Sequence, residues 1–387
     1  MEQRKKNESR PEWSKLPDHI TEMIADRLSF PDILRFASVC VPWRWVAAEI
    51  SRRRRRLCSY QFQPLVMFDY NFEKGFYGFF NFQESRVYWI DIPEAPAKRC
   101  LGCSQGWLVL LDPCVALSFL LNPFTKTRIY LPIFEEPHTC LNFEKVILFP
   151  NPIDHTSMEM NKDWLVVALD AYMQLFFCKI GDKSWRSMPL QPHGKAHFFG
   201  SLVFYKGRLY SLSEKGKLWF RNLTVEGFSG NASKCGVAFP VDVIDYNVDY
   251  SIECYLVESQ GNLLLVIRFM KKEPRRTFRF LIFKLLESND SNDSNGSYVW
   301  ERQMNLDDDQ ALFVSRYCSK SVSLSSKEYF GLQGNSIYFT DDAYYKFEKR
   351  EYPEMGIYHF DNGRVERCLP MDLYPFDNLS IWITPSI

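Results

Sequence analysis

Apolar residues at Ile20, Ile24 and Leu28 recur every four positions, the spacing that lines one face of a helix. Leu16-Pro17-Asp18 precedes them, and Pro17 suits a first helical turn, where its missing N–H is not needed. Ser29-Phe30-Pro31-Asp32 breaks the pattern and restarts it. A second short apolar pattern follows at Ile33, Leu34, Phe36 and Val39-Cys40, and Pro42 opens a third helix carrying Trp43, Val46 and Ile50. Three helices this short cannot bury all of these side chains among themselves. An apolar surplus must face another surface. Periodicity fits two: a separate partner, or the rest of the chain with the helices as a small cap.

From Tyr60 onward the pattern changes to short apolar or alternating runs divided by Gly, Pro, Asn and Asp, an all-β reading. The runs fall into groups. The first holds Leu65–Phe68, Gly75–Phe82 and Arg86–Ile90. The second holds Gly106–Leu111, Leu117–Leu121 and Arg128–Leu131. The third holds Lys145–Phe149, Trp164–Leu169, Gln174–Lys179 and Ser184–Arg186. The fourth holds Gly200–Tyr205, Gly207–Leu212 and Leu218–Phe220. The fifth holds Glu253–Glu258, Asn262–Phe269, Phe278–Lys284 and Tyr298–Gln303. The sixth holds Ala311–Ser315, Asn335–Thr340, Met355–Phe360 and Arg364–Cys368, and a lone Ile381–Thr384 comes last. A sheet-sized unit repeated every ~40–60 residues predicts a β-propeller, with six blades as the expectation and seven as the alternative. The orphan run at 381–384 is expected to complete the first blade and close the ring, which removes exposed sheet edges. A large β-sandwich or double sheet fits the pattern alone as well.

The length of 387 residues allows one large domain and one small one. Aromatics reach 16%, which favours strands and broad packed layers over helical bundles. Net charge is zero, and residues 1–60 hold 13 Lys and Arg against 8 Asp and Glu. Neither figure indicates a nucleic-acid partner. No run reaches the length of a membrane span, and the polar start MEQRKKNESRPEW has no apolar signal core, so the expectation is a cytoplasmic or nuclear protein. The 11 cysteines, scattered among apolar runs, read as small core residues in a reducing compartment.

Few residues offer chemistry. Cys100-x-x-Cys103 has no second pair to complete a zinc site, and Cys114 adds only a third thiol. His193 and His197 flank Gly194 after Pro192, which argues for a loop. Asp307–Asp309 and Asp341-Asp342 read as solvated turns rather than cation sites. No nucleophile, base and orienting group can be named together, so neither metal nor cofactor is expected. Arg52–Arg56 is either a nuclear import signal, helped by Arg4-Lys5-Lys6, or a solvated linker. The low-complexity stretch Ser288–Ser297 is expected to be a hairpin loop.

The LPD opening, the Leu28…Phe30-Pro31-Asp32 corner and Val39-Cys40 followed by Trp43-Arg44 together resemble the F-box. Pro42 departs from that family, where a small or basic residue is commoner. Behind it, Gly106-Trp107-Leu108, Leu121-Asn122-Pro123-Phe124-Thr125, Gly181–Trp185, Phe204–Tyr210, Tyr255–Ser259 and Gly334–Phe339 occur in the order of the KIB-type propeller of plant F-box proteins. The resemblance implies a non-catalytic substrate receptor of an SCF-type ubiquitin ligase. The helices would dock on a Skp-type adaptor, and through it a cullin, while the propeller holds a protein target. On that reading Leu16, Pro17, Ile20, Ile24, Leu28, Leu34, Val39 and Trp43 form the F-box core and its adaptor face. The expected organisation is a disordered tail at 1–12, the helical module at 13–50, a basic linker at 51–59 and the propeller at 60–387. The rival is a propeller enzyme or small-ligand sensor with a helical cap.

Overall fold

The computed structural model describes residues 13–28, 30–56, 64–71, 75–82, 84–112, 114–115, 117–134, 143–149, 164–170, 174–189, 198–213, 217–224, 227–235, 237, 240, 249–273, 276–288, 297–324, 332–340, 354–368 and 381–385. The expected tail at 1–12, His193 and His197, Asp341-Asp342 and residues 289–296 lie outside them. The chain divides into two compact units, with the boundary between Phe62 and Gln63.

The smaller unit holds α1 (Asp18–Ala25), α2 (Phe30–Ala37) and α3 (Val41–Arg56). The Pro17 carbonyl accepts the Ile20 and Thr21 N–H groups and so starts α1. The face that α1 buries is not the Ile20/Ile24/Leu28 stripe. It is Thr21 and Ala25, both small, at 2% and 0% exposure. Their size lets α1 lie close against α3. Ile33, Phe36, Ala47 and Ile50 complete the buried set, and Phe36 stacks on Trp43 with centroids 4.4 Å apart. Pro42 sits in the first turn of α3, where no intrahelical N–H is lost. The arginine run is not a linker: α3 continues through Arg56. Arginine is a good helix former, and cations are favourable at a helix C-terminus. Arg53 also holds Asp26, just beyond α1, at 2.5 Å.

The larger unit is a six-bladed β-propeller. Its strands in chain order are β1 (Leu65–Asn71), β2 (Phe76–Asn81) and β3 (Arg86–Asp91); β4 (Arg99–Ser104), β5 (Trp107–Asp112), β6 (Leu117–Leu121) and β7 (Arg128–Tyr130); β8 (Phe143–Phe149), β9 (Leu165–Asp170), β10 (Gln174–Lys179) and β11 (Arg186–Pro189). They continue with β12 (Phe198–Tyr205), β13 (Arg208–Ser213), β14 (Leu218–Thr224) and β15 (Gly227–Lys234); β16 (Tyr250–Ser259), β17 (Asn262–Lys271), β18 (Arg276–Ser288) and β19 (Ser297–Gln303); then β20 (Gln310–Val314), β21 (Lys320–Ser323), β22 (Ser336–Phe339), β23 (Gly356–His359), β24 (Val365–Arg367) and β25 (Ile381–Ile383). Among the described residues these form one sheet per blade.

Blades two, four and five begin with the same device. Gln105-Gly106, Lys206-Gly207 and Gln260-Gly261 all have positive φ at both positions, the two-residue turn whose twist matches a hairpin. Three strands escape the hydrophobic pattern of the sequence: β4, β15 and β21. Their sequences RCLGCS, GFSGNASK and KSVS are short of large apolar residues. The third of these makes blade six five-stranded, in the order β21-β20-β22-β23-β24. There β20 and β22 run parallel, unlike the antiparallel pairs elsewhere, because β21 occupies the inner edge and the chain must cross over to resume the blade.

The ring closes through β25, which pairs antiparallel with β1, Val66 opposite Trp382. Trp382 is 1% exposed. Its indole N–H donates to the Val314 carbonyl of blade six at 3.0 Å, and its ring packs on Phe82 and Phe313. Between blades five and six, the buried Arg268 donates to the Thr340 carbonyl, to Thr277 and to Glu354, and lies over the Phe339 ring. Glu354 in turn accepts the Thr277 N–H and hydroxyl.

Trp382→Ala should destabilise the propeller by about 3–5 kcal/mol, the cost of truncating a buried large aromatic, and deletion of 378–387 should make it protease-sensitive; resistance equal to that of the intact protein would mean that β25 does not hold the ring. Arg268→Ala should cost about 3–5 kcal/mol, because Glu354 is left as a buried charge. Arg53→Ala, whose ion pair is exposed, should cost less than about 1 kcal/mol. Urea unfolding of the two variants measures the contrast.

Candidate functional site

The eight residues expected to form the helical core and its docking face all lie at the surface of the helical unit or partly beneath it. Pro17, Ile24 and Val39 are exposed, while Leu16, Ile20, Leu28, Leu34 and Trp43 are half-buried. None belongs to the fully buried set. The structure adds exposed apolar residues that the pattern did not single out: Trp45 at 67%, Val41 and Trp13 at 60% and Met23 at 50%. The signal was present in α3. Trp43, Ala47 and Ile50 follow the i, i+4, i+7 spacing of the inward face, and Val41 and Trp45 follow i, i+4 on another. Polar contacts frame this surface without covering it: Arg35 pairs with Asp32 at 2.7 Å, and the Ser38 hydroxyl donates to the Leu34 carbonyl at 2.8 Å. Exposed apolar surface of this kind is what makes this unit the candidate interaction site.

The propeller presents two further places. In blade five, β16, β17 and β18 are extended, and their end carries an open cleft of about 530 Å³ lined by Asp249, Tyr250, Lys271, Lys272, Glu273 and Phe278. Tyr250, Phe269 and Phe278 contact one another edge-on or tilted, and Phe278 remains 40% exposed.

The second place is the centre of the ring, where the innermost strands meet. Gly102 on β4 has no room for a side chain: a Cβ there would fall 2.8 Å from the Val146 carbonyl of β8 and 3.8 Å from that of Tyr317, in the turn between β20 and β21. Cys100 and Cys103 of the CxxC stretch lie on β4. Burial pushes the Cys100 thiol up to about 12, and the Cys103 and Cys318 thiols also upward. All three are therefore protonated at neutral pH and poor ligands or nucleophiles. Among the described residues, no group of three His, Cys, Asp or Glu is placed to hold a metal. Lys320 on β21 moves the other way, down to about 8, because burial disfavours its charge. Its amine donates to the Thr384 hydroxyl at 3.2 Å. Asp307–Asp309 form the turn before β20, where the Asp307 and Asp309 carbonyls accept backbone N–H groups of Gln310, Asn335 and Leu324.

If the exposed side chains of α3 are a docking face and not part of the fold, Val41→Ala with Trp45→Ala should leave the helical signal and melting behaviour of the chain unchanged, while Phe36→Ala should melt the helices. Circular dichroism of the full chain distinguishes them.

Comparison with known proteins agrees with both units. Residues 79–359 match the family profile described as KIB1-4 beta-propeller, and residues 13–44 match that of the F-box domain. Among similar proteins, F-box protein At5g25290 of Arabidopsis thaliana is 23% identical over 92% of this chain and 93% of its own length. F-box protein At2g26160 of the same plant is 26% identical over 86% and 97%. Among solved structures, the N-terminal domain of Nup159 aligns with 78% of this chain and 74% of its own at 10% identity, with a TM-score of 0.29.

Proposed function

Starting from a chain that belongs to the KIB1-4 β-propeller family and carries an F-box domain, we propose that it is the substrate-receptor subunit of an SCF-type ubiquitin ligase. The helices dock on a Skp-type adaptor, and through it a cullin, and the propeller holds a protein target. The observation that carries this reading is the apolar surface of the helical unit. Trp13, Met23, Ile24, Val39, Val41 and Trp45 are each more than a third exposed, and the fold of the unit does not use them. The partly buried Leu16, Ile20, Leu28, Leu34 and Trp43 extend that surface. The contribution of the chain is tethering: it raises the effective concentration of target lysines near the ubiquitin-loaded enzyme and does no bond chemistry on them.

Burying a Leu or Ile contributes about 1.5–3 kcal/mol, and each ~1.4 kcal/mol is tenfold in affinity. Leu16→Ala with Pro17→Ala should therefore weaken adaptor binding at least tenfold with the propeller still folded. A pull-down of the adaptor equal to that of the intact protein would count against the assignment. Deletion of 1–56 should keep target binding, abolish target ubiquitination and lengthen the half-life of the bound target in cells. An unchanged or shortened half-life would reject the receptor role. The rival, an enzyme or small-ligand sensor with a helical cap, predicts that the same truncation keeps its activity on a small substrate.

A further inference from the structure

Blade five outgrows its neighbours. β16 and β17 have 10 residues each and β18 has 13, longer than any other described strand. In the ladder Lys271 stands between Tyr250 and Arg276, and Phe269 stands between Ile252 and Arg279. Directly opposed residues, and residues two apart on one strand, share a face of the sheet. These side chains therefore lie together. Inward, the same face is the apolar layer shared with blade four: Phe269 belongs to a cluster with Tyr210, Phe220, Ile267 and Leu281, and Tyr250 and Ile252 pack against it partly buried. At the tip the layer runs out, and Lys271, Arg276 and Arg279 are exposed.

A bulge turns one more ring toward this edge. The pairing of β17 with β18 shifts between Phe269 and Met270, which leaves Phe278 as the extra residue of the ladder. Such an insertion re-aims a side chain. The Phe278 ring lies 6.2 Å from both Tyr250 and Phe269, centre to centre, and remains 40% exposed. Tyr250 and Phe278 line the open cleft of about 530 Å³. Around it stand the exposed cations Lys271, Lys272, Arg276 and Arg279, and the exposed carboxylates of Asp249 and Glu273. The surface is thus an aromatic floor under an uneven rim, richer in positive charge but interrupted by two anions.

We propose that this face of blade five is a peptide-docking site, and that its occupant is an acidic segment of the protein target carrying an aromatic side chain. The aromatic ring packs in the cleft against Tyr250 and Phe278, where tilted and edge-on contacts are favourable. Flanking carboxylates meet Lys271, Arg276 and Arg279 as charge-assisted hydrogen bonds. Asp249 and Glu273 favour a peptide over a nucleic acid or an anionic bilayer. They repel a continuous row of phosphates, whereas a peptide backbone brings N–H groups that a carboxylate accepts. The site deepens the receptor reading, which requires a protein held by the propeller. It fails separately from that reading, because adaptor binding is assigned to the helices.

Fluorescence anisotropy of the full chain tests the site with three labelled peptides. The first has phenylalanine flanked on both sides by aspartate and glutamate, the second has serine in place of phenylalanine, and the third has lysine in place of every acidic residue. The first should bind at least about tenfold more tightly than the third, since like charges across an interface are strongly disfavoured, and several-fold more tightly than the second. Lys271→Glu with Arg276→Glu should remove the preference for acidic residues, and Phe278→Ser the preference for phenylalanine. With benzoylphenylalanine at the aromatic position, irradiation should attach the peptide to the unaltered chain within residues 249–279, read by mass spectrometry. Equal binding of the acidic and lysine peptides, or an adduct outside that stretch, overturns the site. Tighter binding of a single-stranded oligonucleotide or a phosphatidylserine vesicle, weakened by the same charge reversals, overturns the assignment to a peptide. Peptide binding without adaptor binding in the pull-down rejects the receptor role and leaves the docking face, and the converse rejects the face alone. The cross-link needs no variant and decides even where a substitution disturbs the blade.

Discussion

A propeller is a row of sheets until its ends are joined, and here the joint is three residues long. Ile381, Trp382 and Ile383 are all buried, and they complete a blade whose other strands come from the start of the domain. The loop closed by this pairing spans nearly the whole β domain, so the entropy of closing it is large in absolute terms but grows only slowly with length. Three ladder positions alone would be a thin return for that cost. Trp382 changes the balance by acting across the blade boundary as well as along the sheet. It hydrogen-bonds the Val314 carbonyl and stacks into a cluster that includes Val66, Phe80, Phe313 and Tyr338. Closure and the packing of blade six against blade one are therefore one interaction.

The other blade boundaries are held by apolar layers with occasional polar pins. Arg268, Thr277 and Glu354 fasten blade five to blade six, and Arg208 bonds Tyr298 from blade four to blade five at 3.2 Å. A buried ion pair is weak evidence of net stability compared with a well-packed apolar isostere. It does fix one arrangement of the two sheets, since sliding them would strand the guanidinium. The extra strand β21 adds a polar seam at the centre, where Ser259, Gln310 and Ser321 bond one another.

Strands with large apolar residues were legible, and so was the ring-closing role of 381–384, because an orphan run at the end of a repeat demands a partner. The strands that were not legible share a cause. β15 and β21 are rich in Ser, Gly and Lys, and β4 has cysteines and a glycine where a reader looks for Val or Ile. They are specified by the strands they pair with and by close backbone approach, as at Gly102, rather than by their own propensity. The five arginines misled in the opposite direction. A charge run reads as a solvated linker, yet nothing in arginine opposes a helix that is already nucleated. At the centre of the ring, no local motif announces the lowered pKa of Lys320, because its cause is burial by the assembled blades.

The helical unit shows why its exposed apolar face was harder to read than its existence. Spacing of four marks a helical stripe but not which stripe turns inward. In α1 the inward stripe is Thr21 and Ala25, chosen by the closeness of α3, and the larger Ile20, Ile24 and Leu28 are displaced to the periphery. In α3 the inward stripe includes Ala47, and Trp45 is left 67% exposed. A unit stabilised only by its own fold would gain from the reverse arrangement, with the large side chains inside and the small ones out. Ile33, Phe36 and Ile50 supply the large apolar part of the core, and the apolar side chains left exposed, Ile24, Val41 and Trp45 among them, are the surface that the proposed docking would bury. That surplus of exposed apolar side chains, more than any individual residue, is the physical basis of the proposed docking.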